Sequence, residues 1–229
     1  MALAKKPVTG MRDITPAEMQ IREYVMNQIK ETYKSFGFTQ IETPCVEHIG
    51  NLTSKQGGDN EKLIFKILKR GDKLNLETAS GENDLVDSGL RYDLTLPLSR
   101  YYANNAANLP SPFKALHMGS VWRADRPQKG RFRQFVQCDI DILGDATNLA
   151  EIEEILALTK ALKRICPDKA YTVRVNDRAI LKGMADYSGF PENETDKVFI
   201  ILDKMDKIGL DGVREELLAE GYAPEAVEK

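Results

Sequence analysis

Two extended stretches joined by a strongly basic turn, residues 114–143, constrain this chain of 229 residues more than any other feature. Residues 114–122 are short, β-branched, aromatic or sulfur-containing, without a helical period, which predicts a strand. Residues 132–143 alternate, with Val136, Cys138, Ile140 and Ile142 on one side and Phe135, Gln137, Asp139 and Asp141 on the other. Period two puts these sets on opposite faces of a second strand. Between the strands Arg123, Arg126, Lys129, Arg131 and Arg133 set five cations against one acid, Asp125, with Pro127 and Gly130 marking the turn. A loop of that charge suits an anion. One face of the second strand is core. The other either meets solvent or forms the floor of a polar ligand site, and a Phe beside a Gln and two Asp favours the floor.

Composition narrows the classes. With 42% hydrophobic and 29% charged residues the chain can bury one sizeable core plus a small appended unit. It has no run of eighteen apolar residues and its first ten lack the apolar stretch of a secretory signal, so no membrane association is expected and the cytoplasm is the expected location. Cys45, Cys138 and Cys166 are odd in number and far apart, which reads as reduced thiols. With His48 and His117 the only histidines, no protein-bound metal is expected. A net charge of −3 and a pI near 5.6 argue against nucleic-acid binding by bulk electrostatics. The basic loop would suit a small polyphosphate as well as RNA.

Thr15, Pro16 and Glu18 form a capping-box start for a helix over 16–35. Its expected inner face is Ile21, Tyr24, Val25, Gln28, Ile29, Thr32 and Phe36, with Gly37 ending it. A strand over 38–43 stops at Pro44. Residues 52–60 and 80–88 read as polar loops, and 64–68 with 73–77 as a hairpin around Arg70-Gly71-Asp72. Residues 90–95 read as extended, with Asp93 and Thr95 on one face. Such a pair can accept from one ammonium group, or simply cap locally. Pro97 is expected to open a helix through 106. Asp145 or Thr147 should cap a helix whose stripe is Leu149, Ile152, Ile155, Leu156, Leu162 and Ile165, ahead of Pro167. Residues 171–175 alternate as a strand, and short amphipathic helices follow at 178–187, 194–206 and 212–220.

Arg123-Ala124-Asp125, the following RPQKGRFRQF and then Gln137-Cys138-Asp139-Ile140-Asp141 resemble the second signature motif of class II aminoacyl-tRNA synthetases, in the form found in histidyl-tRNA synthetases. Gly10-Met11-Arg12-Asp13 resembles that family's N-terminal start, GFTQIETPCVEH over 37–48 its first motif, and LRYDLT over 90–95 its histidine-contacting segment.

The resemblance implies an α+β fold, an antiparallel sheet flanked by helices, over 1–176, with the beginning of a helical insertion over 177–229. The family's third motif and anticodon-binding domain would be absent, so this stretch alone should activate histidine poorly. Also implied are the substrates histidine, ATP with Mg²⁺, and a histidine-specific tRNA, and a homodimer with Pro44 in its interface. Arg123 is the implied catalytic residue. Asp93, Leu94, Thr95, Arg123, Gln137 and Asp141 would hold histidine, and Arg123, Asp125, Arg131, Phe132 and Phe135 would hold ATP. Asp125 departs from the family's usual glutamate. The alternatives are a histidine-sensing regulatory partner of ATP phosphoribosyltransferase and a non-catalytic dimerisation or RNA-binding module. The retained Arg123 and basic loop argue against the first. The acidic balance and the set Asp93, Gln137 and Asp141 argue against the second.

Overall fold

A computed structural model describes residues 3–53 and 59–229, which fall into two compact units, Met1–Ala170 and Tyr171–Lys229. In the first, helix α1 (Pro16–Lys34) starts as its capping box dictates: Glu18 N donates to Thr15 Oγ1 at 3.4 Å and Thr15 N to Glu18 Oε2 at 3.0 Å. Gly37, at φ +84°, turns the chain into strand β1 (Thr39–Ile41). The expected inner face of α1 is corrected at its first turns. Ile21 and Tyr24 are exposed, and burial is concentrated at Thr32 and Tyr33, where the helix meets the core.

Strand β2 (Val46–His48), helix α2 (Ile49–Thr53) and strand β3 (Lys66–Leu68) follow. After them come a helical turn α3 (Glu82–Leu85), strand β4 (Val86–Leu90) and helix α4 (Thr95–Asn105). Strands β2, β4 and β3 make one antiparallel sheet. The hairpin expected around Arg70 is therefore not formed. Residues 73–77 contain no strand, because β3 finds its partner in β4, and residues 80–88 are α3 and most of β4 rather than a loop. Within the loop expected at 52–60, residues 54–58 lie outside the described residues.

The second sheet carries the long pair, β5 (Phe113–Trp122) against β6 (Gln134–Leu143), antiparallel over ten register partners. Strand β1 joins β5 in parallel, so this sheet is mixed within an α+β fold. Helix α5 (Leu149–Ile165) closes the layer. Its buried residues are Ala157 and Ala161, while Leu149, Ile152 and Leu156 of the expected stripe are exposed. Small alanines let α5 approach the core of Tyr33, Phe38 and Leu116 closely, and Ile140 and Ile142 pack there from β6.

The second unit contains α6 (Arg178–Ser188), α7 (Thr195–Leu202), α8 (Met205–Ala219) and α9 (Pro224–Glu228) around Val198, Ile201, Val213, Leu217 and Tyr222. Residues 171–175, expected as a strand, have no regular structure. An isolated extended segment needs a ladder partner, and none among the described residues pairs with it.

Candidate active site

The β5–β6 register decides what the polar face of β6 lies beside. Phe135, Gln137, Asp139 and Asp141 are the partners of Val121, Gly119, His117 and Ala115. Val121, His117 and Ala115 are fully buried, whereas the four β6 residues are half-buried. Residues 91–94 lie across the β5 half of this face. A Cβ at Gly119 would stand 2.3 Å from Arg91 Nη2 and 3.8 Å from Leu94 Cδ2. The β6 half is left as a floor with carboxylates in it.

That floor is electrostatically unusual. Burial above all, then Asp141 and Asp93, push the Asp139 carboxyl up to about 6, with Arg123 opposing. Burial raises Asp141 as well. It also raises Asp93, against the lowering effects of the Leu96 N–H and Arg123. Gln137 Oε1 is buried with no hydrogen-bond partner. His117 is driven the other way, down to about 4, by burial and then by Arg91, and its Nε2 lies 3.2 Å from Thr43 Oγ1. Three carboxylates short of solvation and an idle amide oxygen together suit a ligand bearing an ammonium group and further N–H donors.

Arg123 sits at the end of this floor. Its Nε donates to the Tyr92 carbonyl at 3.0 Å, and its guanidinium carbon lies 5.2 Å from the centre of the Phe135 ring. Its two Nη groups make no hydrogen bond among the described residues. Beyond it the basic loop is folded on itself. Arg131 donates from Nε at 3.2 Å and Nη2 at 2.9 Å to Asp125 Oδ2, and Arg133 Nε donates to the Asp125 carbonyl at 2.9 Å. Gln128 and Arg131 exchange backbone hydrogen bonds at 3.2 and 3.0 Å around Gly130, whose φ is +80°. Phe132 is held under Arg12, 5.0 Å from ring centre to guanidinium carbon, and with Phe135 lines a cleft of about 470 Å³ that also includes Arg12, Glu18 and Arg22.

Asp93, Arg123, Phe135, Gln137 and Asp141 are thus brought to one region. Two expectations are corrected. Residues 90–95 are not one strand: β4 ends at Leu90, Thr95 begins α4, and Asp93 Oδ1, one residue ahead of the N-cap Leu94, accepts from Leu96 N in the first turn at 3.2 Å. Thr95 is consequently exposed rather than paired with Asp93 on a strand face. Leu94 is 1% exposed and packs over Gly119, so its side chain supports the floor instead of lining it. Pro44 is exposed at a turn between β1 and β2. Arg91 and His117, buried at the centre of this region, escaped the sequence reading as site residues. The sole hint was a cation two positions before Asp93, between Leu90 and Tyr92.

The family profile described as histidyl-tRNA synthetase matches residues 10–227. Curated relatives include the histidine–tRNA ligase of Leifsonia xyli subsp. xyli, 47% identical over 99% of this chain and 53% of its own length. That of Porphyromonas gingivalis is 40% identical over 96% and 50%. The chain therefore spans about half the length of the curated relatives it matches. Among solved structures, histidyl-tRNA synthetase from Nostoc sp. PCC 7120 superposes with a TM-score of 0.81 at 28% identity, covering 99% of this chain and 48% of that one. A Bacillus halodurans protein titled ATP phosphoribosyltransferase regulatory subunit/histidyl-tRNA synthetase follows at TM-score 0.78 and 21% identity, covering 100% of this chain and 55% of that one, which shows a shared fold alone.

Proposed function

The chain belongs to the histidyl-tRNA synthetase family, and from that premise we propose that the floor of β6 binds histidine and supports its activation by ATP, as a catalytic portion of a histidine–tRNA ligase. The observation that carries this reading is the juxtaposition of Arg123, with idle Nη donors, and a row of under-solvated acceptors at Asp93, Gln137 and Asp141.

In the reaction proposed, a histidine carboxylate oxygen attacks the α-phosphorus of ATP. The bond to the pyrophosphate oxygen breaks and histidyl-adenylate forms. A ribose hydroxyl of the tRNA then attacks the adenylate carbonyl, releasing AMP. Arg123 bridges carboxylate and α-phosphate with its planar fork, aligning them and neutralising charge as it develops. Asp93 takes the substrate ammonium, Gln137 its polar backbone and Asp141 its imidazole N–H. An isostere that cannot donate would leave the last acceptor unpaired in a poorly solvated site, at a cost of about 1–3 kcal/mol. Phe135 offers a face for adenine, Asp125 is proposed to hold the adenine amino group or orient the loop, Arg131 to meet the outer phosphates, and Phe132 to complete the ATP contacts. Mg²⁺ would come with ATP on its phosphate oxygens. Among the described residues no group of three or more His, Cys, Asp or Glu is arranged to hold a metal ion. Pro44, exposed in its turn, is proposed to lie in a two-fold interface, and light scattering at tens of micromolar is expected to give a dimer mass.

Calorimetric titration with histidine tests the central reading. Binding is expected in the parent chain and lost in Gln137→Ala and Asp141→Ala, with circular dichroism unchanged. Unaltered affinity in both folded variants would place the ligand elsewhere.

A further inference from the structure

Arg91 is 3% exposed, yet every acceptor around its guanidinium is a neutral oxygen. Nε donates to the Ser120 carbonyl at 2.9 Å, and Nη1 to the Thr43 carbonyl at 2.8 Å, to Thr43 Oγ1 at 3.1 Å and to the Pro44 carbonyl at 3.4 Å. A buried cation without a carboxylate is costly, and shape alone would be served by methionine or leucine. What the guanidinium does that they cannot is reach two backbones at once. The β1–β5 ladder stops at Ile41 and His117, and beyond that point Arg91 links Thr43 to Ser120 in its place.

The main chain of the same residue is equally committed. Arg91 N donates to the Cys45 carbonyl at 2.9 Å, and its own carbonyl accepts from Trp122 N at 3.0 Å. Gly119, lacking a Cβ, leaves the space that Nη2 occupies. The next residue supplies the carbonyl that holds Arg123 Nε, and the one after is Asp93.

We propose that Arg91 is a positioning residue for this site. By bridging the turn at Thr43 and Pro44 to β5, it fixes the height of Tyr92 and Asp93 over the floor and, through the Tyr92 carbonyl, the orientation of Arg123. It touches no substrate; its effect is on the geometry of residues that do. The inference rests on the histidine-binding reading above.

The test titrates histidine into the parent chain, Arg91→Lys, Thr43→Val and Arg100→Lys, with urea midpoints measured on each. A lysine ammonium reaches one backbone but not both, so Arg91→Lys is expected to weaken histidine binding about tenfold while remaining folded. Thr43→Val, which removes one of the Arg91 acceptors together with the hydroxyl beside His117 Nε2, is expected to weaken it about threefold. Arg100→Lys disturbs an ion pair to Glu47 outside the floor and should lower the urea midpoint without changing histidine affinity. If the parent binds no histidine, the site reading fails and this proposal with it. If the parent binds and Arg91→Lys binds equally well, the proposal alone is overturned. An affinity loss in Arg100→Lys equal to that in Arg91→Lys also overturns it, since general loosening would then suffice. Should Arg91→Lys not fold, Thr43→Val decides: unchanged affinity rejects the positioning role.

Discussion

Asp139 and His117 stand opposite each other in the β5–β6 register, and burial drives their protons in contrary directions. The Asp139 carboxyl is raised from 3.8 to about 6 and the His117 imidazole lowered from 6.5 to about 4. Each therefore titrates in the folded chain across the range where the other does in the unfolded chain.

The signs oppose. A raised carboxyl contributes stability below pH 3.8 that is lost as pH climbs through 6, whereas a depressed imidazole contributes above 6.5 and loses it as pH falls through 4. Asp139→Asn leaves the imidazole unopposed, so its urea midpoint should rise from pH 4 to 6.5 more steeply than that of the parent. His117→Gln should shift the slope the other way over pH 4 to 6. Parallel profiles in the parent and both variants would show that neither group changes its proton on unfolding.

Phe135→Leu tests the aromatic face beside Arg123. Losing the ring should weaken ATP binding about fivefold to tenfold, the worth of a stacking or cation–π contact, while histidine affinity stays within about twofold. Titration with each ligand separates the two effects.

Glu47 and Arg100 make a two-pronged ion pair, with Nε to Oε2 at 2.8 Å and Nη2 to Oε1 at 2.7 Å, and the glutamate is 4% exposed. Arg100→Met strands that carboxylate and should cost about 3–5 kcal/mol in urea unfolding. The double variant Glu47→Met with Arg100→Met should recover most of the loss, because two apolar chains then replace two charges.

Gly10 has φ +82°, and a Cβ there would stand 2.8 Å from Arg133 Cγ and Cδ and 2.9 Å from Pro127 Cγ. Its carbonyl accepts from Arg133 N at 2.7 Å, so the N-terminal segment holds the basic loop from outside. Gly10→Ala should destabilise the fold by about 1–2 kcal/mol and weaken ATP binding more than histidine binding.

What the sequence made legible was local. The capping box at Thr15 and Glu18 fixed the start of α1 within one turn, and the alternation from Phe135 to Asp141 marked the floor before any partner strand was known. Long-range choices were not legible. Lys66–Leu68 pairs with Val86–Leu90 rather than with the nearer residues 73–77, and no periodicity announces which of two partners a short strand will take. At 90–95 two local readings competed. Asp93 accepts from Leu96 N in the first turn of α4, and Pro97 sits in that same turn, where its missing N–H costs nothing, so the helix begins before the proline instead of at it. Along α5 the core prefers Ala157 and Ala161 to the large residues beside them, because depth there is set by how closely the helix can approach the sheet.

The ion pair between Asp125 and Arg131 gives the basic loop a counterion of its own. An incoming phosphate would displace a carboxylate already in place rather than ions drawn from solution. Fewer dissolved anions are then released on binding than five cations suggest, and affinity should decline with ionic strength along a shallower line than that number predicts. Asp125→Asn would return that exchange to the solvent, so the loop should hold anions more tightly at low salt and lose that affinity more steeply as salt is added.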